Sequence, residues 1–235
     1  MKIESVMTPR LLAIASSVPQ WARLCDVGTD HGYIPIYLCL KNQITSALAM
    51  DLRPGPLFHA EENIRRYRLE EKVKTRLSDG LLELSEGEAD TAVIAGMGGL
   101  LIAEILEAAK VKLDCYILQP MTAVPELRQY LAGHGYRIDN EVLAKEEEKI
   151  YSILTVRLGN MEISDPVFEL VGEKLLENRD PLLPELIEKQ LLKFTRAYEG
   201  LRQSERADTK EKETDYARKI ASLLRLKEEC KQWSN

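Results

Sequence analysis

Aromatic residues are scarce in this sequence, 6% of 235, and long apolar runs are missing altogether. No stretch approaches the roughly 18 unbroken apolar residues that a membrane span requires. The opening MKIESVMTPR has no apolar core of the kind that marks a secretory leader. Neither a membrane partner nor export is therefore expected. The four cysteines, Cys25, Cys39, Cys115 and Cys230, never fall at CxxC spacing, and three sit inside apolar runs. Buried free thiols and a reducing, cytoplasmic setting follow as expectations. His31, His59 and His134 are far apart and join no Cys/His ligand pattern, so no metal site is expected. An excess of positive charge is lacking too: 32 Lys and Arg stand against 38 Asp and Glu, a formal net charge of −6. That balance argues against a binder that relies on a uniformly basic surface, and DNA is not expected as a partner. It leaves room for one local basic face, because the field at a cleft is set by nearby charges.

What the sequence does have is alternation. Thr8 and Pro9 can cap and open a helix in MTPRLLAIASSV. Strand-like apolar runs follow at 23–28, 44–51, 73–79, 90–96 and 115–120. Helical patterns separate them, at about 34–41, 54–69, 100–110 and from 124 to Gly133 or Gly135. Short strands alternating with helices predict an α/β fold, a mostly parallel sheet with helices on both faces. Residues 137–144 and 150–158 have only a short connection between them and predict an antiparallel hairpin at the sheet edge. Strand signals then stop. Ile187, Leu191, Phe194, Tyr198 and Leu201 recur by threes and fours, and Tyr216, Ile220, Leu223, Leu224 and Lys227 suggest a returning helix. The expected division is a sheet domain over 1–159 and a helical appendage of two long antiparallel helices over 160–235.

The strand ends carry the chemistry. The first strand closes in CDVGTDHGY, residues 25–33. Parallel sheets bind ligands beyond the carboxyl ends of their strands, near the switch in strand order. After Asp26, Gly28 permits a tight turn and close ligand approach, and the following helix offers unpaired N–H groups. A dinucleotide fold would place a second glycine where Asp30 stands. A carboxylate there is a poor neighbour for pyrophosphate and a good one for ammonium, so the ligand reads as an amino-acid nucleoside. Asp51 ends the second strand, 23 residues after Gly28, where ribose hydroxyls are held. Asp79 ends the third in LSDG, where it can accept from the exocyclic amine of adenine. Each acid taken singly could equally cap its turn. Together, at one sheet edge, they look like a class I methyltransferase that binds S-adenosyl-L-methionine. The fourth strand ends in AGMGG, residues 95–99. It supplies no polar side chain, only backbone that can approach a base closely or turn tightly into the next helix.

At this point the chain resembles the bacterial tRNA (adenine(22)-N1)-methyltransferases. The matching pieces are CDVGTDHGYIP, Asp51, RLSDGL, DTAVIAGMGG, YILQP, LRQYLAGHGYRI and KIYSILTV, in order across residues 5–158. The resemblance implies a Rossmann-like methyltransferase sheet with a coiled-coil-like helical domain after it. By position, Asp26, Gly28 and Asp30 would surround the amino-acid end of the cofactor, Asp51 the ribose, and Asp79 and Gly80 the adenine. Gly96 would lie between the sulfonium methyl and the incoming base. Asp30, His31 and Gly96 are the candidates closest to the reaction, with His31 either touching cofactor or nucleotide or bonding at its helix terminus. Arg10, Tyr33 and Met97 are expected to face the substrate, Arg10 either meeting a phosphate at the mouth or standing solvated. One departure is Met121, where asparagine is expected after Gln119 and Pro120.

The implied reaction needs no strong base, because N1 of adenine already carries an in-plane lone pair. The protein's work would be positioning and electrostatics, after the base has left its stack. The appendage would hold the tRNA. Lys189, Lys193 and Arg196 recur at helical spacing, with Arg202 and Arg206 beyond them. Glu185, Glu188 and Glu199 are interspersed, and would make the same face an ordinary ion-paired one. No feature sets an oligomeric state, and a monomer is the working expectation. Alternatives that the pattern leaves open are methylation of another RNA or a small molecule, and a non-catalytic RNA- or protein-binding module.

Overall fold

The computed structural model describes residues 2–202 and 210–234. They form two units, Met1–Glu162 and Ile163–Asn235. In the first, the Thr8 hydroxyl accepts the Leu11 N–H at 3.4 Å and starts α1 (Pro9–Ser17). Strands β1 (Ala22–Val27), β2 (Ile44–Asp51), β3 (Val73–Leu77), β4 (Thr91–Gly98) and β5 (Cys115–Thr122) follow. Helices α2 (Tyr33–Leu40), α3 (Pro54–Arg66), α4 (Gly99–Ala108) and α5 (Val124–Gly133) alternate with them. The hairpin β6 (Tyr136–Glu146) and β7 (Lys149–Leu158) closes the unit. The sheet order is β3-β2-β1-β4-β5-β7-β6. The pairs from β3 through β5 are parallel, and β7 runs antiparallel to both β5 and β6. This is the α/β sheet with an edge hairpin that the alternation predicts.

Both faces of the sheet are covered, which is why its strands read as apolar runs rather than as alternating ones. Successive side chains point to opposite faces. Leu24, Val93 and Ile117 pack with Ile14, Ile36, Leu38 and Ile64 on one side. Cys25, Val27, Ile94 and Leu118 pack with Ile102, Leu106, Leu127 and Leu131 on the other. Each fully buried aliphatic side chain contributes about 1.5–3 kcal/mol. This unit also buries an ion pair. Arg128 on α5 donates to Glu141 on β6, Nη2 to Oε1 at 2.7 Å and Nε at 3.2 Å, with both side chains at most 2% exposed.

Polar residues are buried where the strands end. Asp26, Thr29, Asp51, Ser78 and Gln119 are all buried, at the carboxyl ends of β1, β2, β3 and β5. The sequence predicts a turn or a bare backbone approach after Gly96. The expected strand end at Gly96 moves: β4 continues to Gly98, directly before α4, and β5 to Thr122, with the β4–β5 register shifting at Ala95/Met97 and again at Met97/Gly98. Gly96, at φ 76°, is the extra residue of a bulge. The bulge bends the strand end and lets pairing resume beyond it.

The second unit opens with α6 (Val167–Val171) and α7 (Glu173–Glu177) and continues in α8 (Leu183–Arg202) and α9 (Lys210–Lys231). The long helices are antiparallel partners: Lys227 reaches Glu188 at 3.0 Å, and the Tyr216 ring lies 5.6 Å from that of Phe194. The periodicity needs one correction. Leu223 is buried as expected, but Leu224, expected on the same packing face, is 50% exposed, and Leu226 and Cys230 are buried in its stead. Steps of three and four from Leu223 reach those positions, whereas Leu224 lies a further 100° around the helix. The four cysteines are buried and free. Among the described residues no helix is long and apolar enough to cross a membrane.

Candidate active site

The chain reverses its direction of travel across the sheet between β1 and β4. Beyond the carboxyl ends of those two strands lies a cavity of about 360 Å³. Among the residues proposed from sequence, Arg10, Asp26, Gly28, Asp30, His31, Tyr33 and Gly96 line it. Asp51, Asp79, Gly80 and Met97 do not, although the charge of Asp51 reaches Asp26 and Met97 lies against Gly28. The Gly28 and Thr29 N–H groups donate to the Met50 carbonyl at 2.8 and 2.9 Å, which hangs the β1 loop on the end of β2. Asp51 follows at once, its Oδ1 accepting the Arg53 N–H at 2.8 Å. The Ser78 N–H donates to the Asp51 carbonyl at 2.9 Å, so the β3 end is held in line. Asp79 then lies exposed, and Gly80 is buried against Ile105.

Asp26 is the anomaly of the site. It is buried, and burial pushes its carboxyl up to about pKa 6, with the charge of Asp51 adding to the shift. A polar contact from Thr29 opposes it, yet Thr29 Oγ1 is itself buried without a partner of hydrogen-bond geometry. Among the described residues no basic side chain pairs with Asp26. Two carboxylates beside a cavity, one of them uncompensated, fit a cationic ligand. S-adenosyl-L-methionine, with an ammonium and a sulfonium, is such a ligand.

The glycines shape the opposite wall. At Gly28, φ is 75°, and a Cβ would collide with the Met97 methyl group. Met97 therefore lies over Gly28. Gly96 differs: a Cβ there would meet only Arg10 Nη1, at 3.9 Å. Open space above the Gly96 backbone, not crowding, is what this position offers. Arg10 turns inward and is not the solvated arginine the sequence left possible. Its Nη1 donates to Gln119 Oε1 at 2.8 Å, and its guanidinium sits 5.4 Å from the centre of the Tyr151 ring. Glu146 accepts its backbone N–H at 2.9 Å.

Rings run outward from the cavity. The His31 and Tyr33 rings stack at 5.0 Å, His59 on α3 is 5.4 Å from His31, and Phe58 is 5.9 Å from His59. Phe58 is 59% exposed. His31 Nε2 lies 3.4 Å from Asp30 Oδ2, and Asp30 also borders a shallow groove with Arg53, Pro56 and His59. Among the described residues no group of three His, Cys, Asp or Glu side chains is placed to hold a metal ion.

Known proteins resemble this chain in sequence and fold. Residues 7–154 match a family described as a methyltransferase domain. The tRNA (adenine(22)-N(1))-methyltransferase of Bacillus subtilis is 32% identical over 234 residues, covering 96% of this chain and 97% of that protein. The chain belongs to the bacterial tRNA (adenine(22)-N1)-methyltransferase family.

Solved structures of similar chains extend the likeness to the whole molecule. The B. subtilis tRNA methyltransferase TrmK is 30% identical with a TM-score of 0.84, covering 93% of this chain and 97% of that one. Streptococcus pneumoniae Sp1610, solved with S-adenosyl-L-methionine, is 33% identical with a TM-score of 0.78, covering 94% and 99%. M. capricolum TrmK, solved with S-adenosyl-homocysteine, is 25% identical with a TM-score of 0.80, covering 94% and 97%. Like other members of the tRNA (adenine(22)-N1)-methyltransferase family, this chain follows its Rossmann-like sheet with a helical extension.

Several residues of this family member's site escaped the sequence reading, Gln119, Glu146 and Tyr151 among them. Gln119 had a signal, a polar residue inside the apolar run YILQP. Glu146 and Tyr151 had none, because the hairpin brings them to Arg10 only in three dimensions. Met121, in place of the expected asparagine, is 43% exposed, and its sulfur accepts from Gln119 Nε2 at 3.5 Å. The expected basic stripe lies on α8 of the second unit. Lys189 pairs with Glu185 at 3.2 Å, Lys193 lies 5.5 Å from the Phe194 ring centre, and Arg196 and Arg202 are exposed. Arg206 lies outside the described residues.

Proposed function

We propose that this protein transfers the methyl group of S-adenosyl-L-methionine to N1 of adenine 22 in tRNA. The observation that carries the reading is Asp26, a buried carboxylate without a counter-ion on the wall of a cavity at the strand switch point. A ligand with positive centres relieves that burden. Bound there, the cofactor supplies a methyl group activated by a positively charged sulfur.

The chain's own residues hold and aim. Asp26 and Asp30 take the amino-acid end. Asp51 takes the ribose hydroxyls, while Asp79 and the backbone at Gly80 flank the adenine. Gly96 leaves the open face across which a flat base reaches the methyl group. N1 brings its own lone pair, so His31 and Asp30 need not remove a proton first. Backbone carbonyls of the β4 bulge and the Asp30 carboxylate favour the positive charge that the base acquires. Arg10, which lines the cavity with Nη1 on Gln119 and Nε 3.7 Å from Glu146 Oε2, addresses the incoming nucleotide beside Met97.

The target base must leave its stack, and the displaced neighbours need a surface. Tyr33, His31, His59 and Phe58 supply one, leading from the cavity out over α3. Base–ring stacking contributes about 1–3 kcal/mol per base. The first unit thus carries out the chemistry, and the second holds the tRNA through Lys189, Lys193 and Arg196. The experiment is transfer of labelled methyl groups to unmodified tRNA, followed by mapping of the modified nucleotide. Labelling that persists when adenine 22 is replaced by guanine, or no labelling at all, overturns the reading.

A further inference from the structure

Gln119 is a fully buried polar residue that neither the cofactor nor the substrate assignment uses. Its side chain bonds in four directions. Oε1 accepts the Gly96 N–H at 3.1 Å and Arg10 Nη1 at 2.8 Å. Nε2 donates to the Pro120 carbonyl at 2.9 Å and reaches Met121 Sδ at 3.5 Å. The amide therefore has both its lone pairs and both its hydrogens engaged.

The bulge explains why a side-chain oxygen is needed. Where the β4–β5 register slips at Gly96, the ladder leaves one N–H without its regular acceptor. The Gln119 carbonyl fills that place from the neighbouring strand. The same oxygen turns Arg10, which comes from α1 and is braced by Glu146 and Tyr151 on the hairpin. One buried atom thus ties together the bulge, the first helix and, through Arg10, the edge of the sheet.

We propose that Gln119 is a positioning residue, an amide clamp that sets the height of the Gly96 bulge and the direction of Arg10 at the mouth of the cavity. It thereby fixes where the target base stands relative to the methyl donor. The inference rests on the proposed tRNA methylation. It makes no direct claim on the cofactor, because Gln119 bonds to neither Asp26, Asp51 nor Asp30. Leucine at this position would keep the volume and leave two donors unpaired. Glutamate would still accept from both donors and lose the donations to the Pro120 carbonyl and to Met121 Sδ.

The test uses the full chain and four variants: Gln119→Leu, Gln119→Glu, Arg10→Leu and the Gln119→Leu/Arg10→Leu double. Initial rates on tRNA give kcat and KM, and calorimetry gives the affinity for S-adenosyl-L-methionine. A misplacement of about 1 Å costs about 100-fold in rate, so kcat of Gln119→Leu falls about 10- to 100-fold. Cofactor affinity stays within about threefold, Gln119→Glu recovers most of kcat, and the double variant is little slower than the worse single. A folded Gln119→Leu protein with near-normal kcat overturns the proposal. So does a loss of cofactor affinity in step with kcat, or a double variant whose losses multiply. If Gln119→Leu does not fold, Arg10→Leu and Gln119→Glu decide: normal kcat in the first, or no activity in a folded second, overturns it. Failure of the underlying reading is seen separately, as wild-type protein that methylates no tRNA.

Discussion

Replacing Asp26 by asparagine should make the ligand-free protein more stable and the cofactor weaker. Asp26 titrates at about 6 in the folded chain, against 3.8 for the ordinary group. A carboxyl whose folded pKa is raised holds its proton more tightly when folded. Its favourable contribution is complete below about pH 4, declines as pH rises through about 6, and changes no further above that. Two pKa units correspond to about 3 kcal/mol of destabilisation at pH 7.5, and to about half of that at pH 5. Asparagine mimics the neutral acid and removes this cost. For a chain of this size about 1 kcal/mol shifts Tm by about 2–4 °C. Asp26→Asn should therefore raise the Tm of the free protein by roughly 6–12 °C at pH 7.5 and by about half as much at pH 5. Differential scanning calorimetry at the two pH values reads both. Calorimetric titration should show S-adenosyl-L-methionine bound at least about tenfold more weakly, since one full charge contact is lost. A Tm gain equal at both pH values, or no gain, would mean that the charge of Asp26 is already compensated in the free protein. Unchanged cofactor affinity would remove Asp26 from the binding site.

Other consequences follow from single contacts. Glu141→Leu removes the carboxylate from the buried Arg128 pair and should cost about 3–5 kcal/mol in urea unfolding, most of it regained when Arg128→Met is added; a double variant no better than the single would refute the pairing argument. Phe58→Ala and His59→Ala should each weaken tRNA binding about five- to tenfold, the lower part of the range for one stacked base, and leave cofactor affinity alone; normal tRNA affinity in both would dismiss the ring row. Alanine at Lys189, Lys193 and Arg196 together should weaken tRNA binding and reduce the slope of log K against log salt by about 2 to 3. An unchanged slope would assign that stripe to ion pairing within the helices.

Much of this molecule was legible one residue at a time, and for a local reason. Apolar runs of strand length separated by turn-spaced helices dictate covered parallel strands, because a strand buried on both faces cannot afford polar positions in its middle. Asp26, Gly28, Asp51 and Asp79 could be placed at one edge because each terminates such a run, and strands in a parallel sheet all end on the same side. Thr8 could be read as a cap from its own hydroxyl and the proline after it. The tertiary structure decided the rest. Whether Arg10 faced water or the cavity depended on Gln119, Glu146 and Tyr151, which stand 109 to 141 positions later in the chain. In AGMGG, Gly96 became a bulge within a strand that runs on to Gly98, because β5 continues beside it to Thr122, and only pairing with a neighbour fixes where a strand stops. Leu224 turned outward because 3.6-residue geometry carries the packing stripe through Leu226 and Cys230, a choice that the facing helix makes among several apolar positions. Charge burial was the last of these. An aspartate at a strand end is ordinary in sequence, and it becomes a site in search of a cation only when two strands bring Asp26 and Asp51 together away from water.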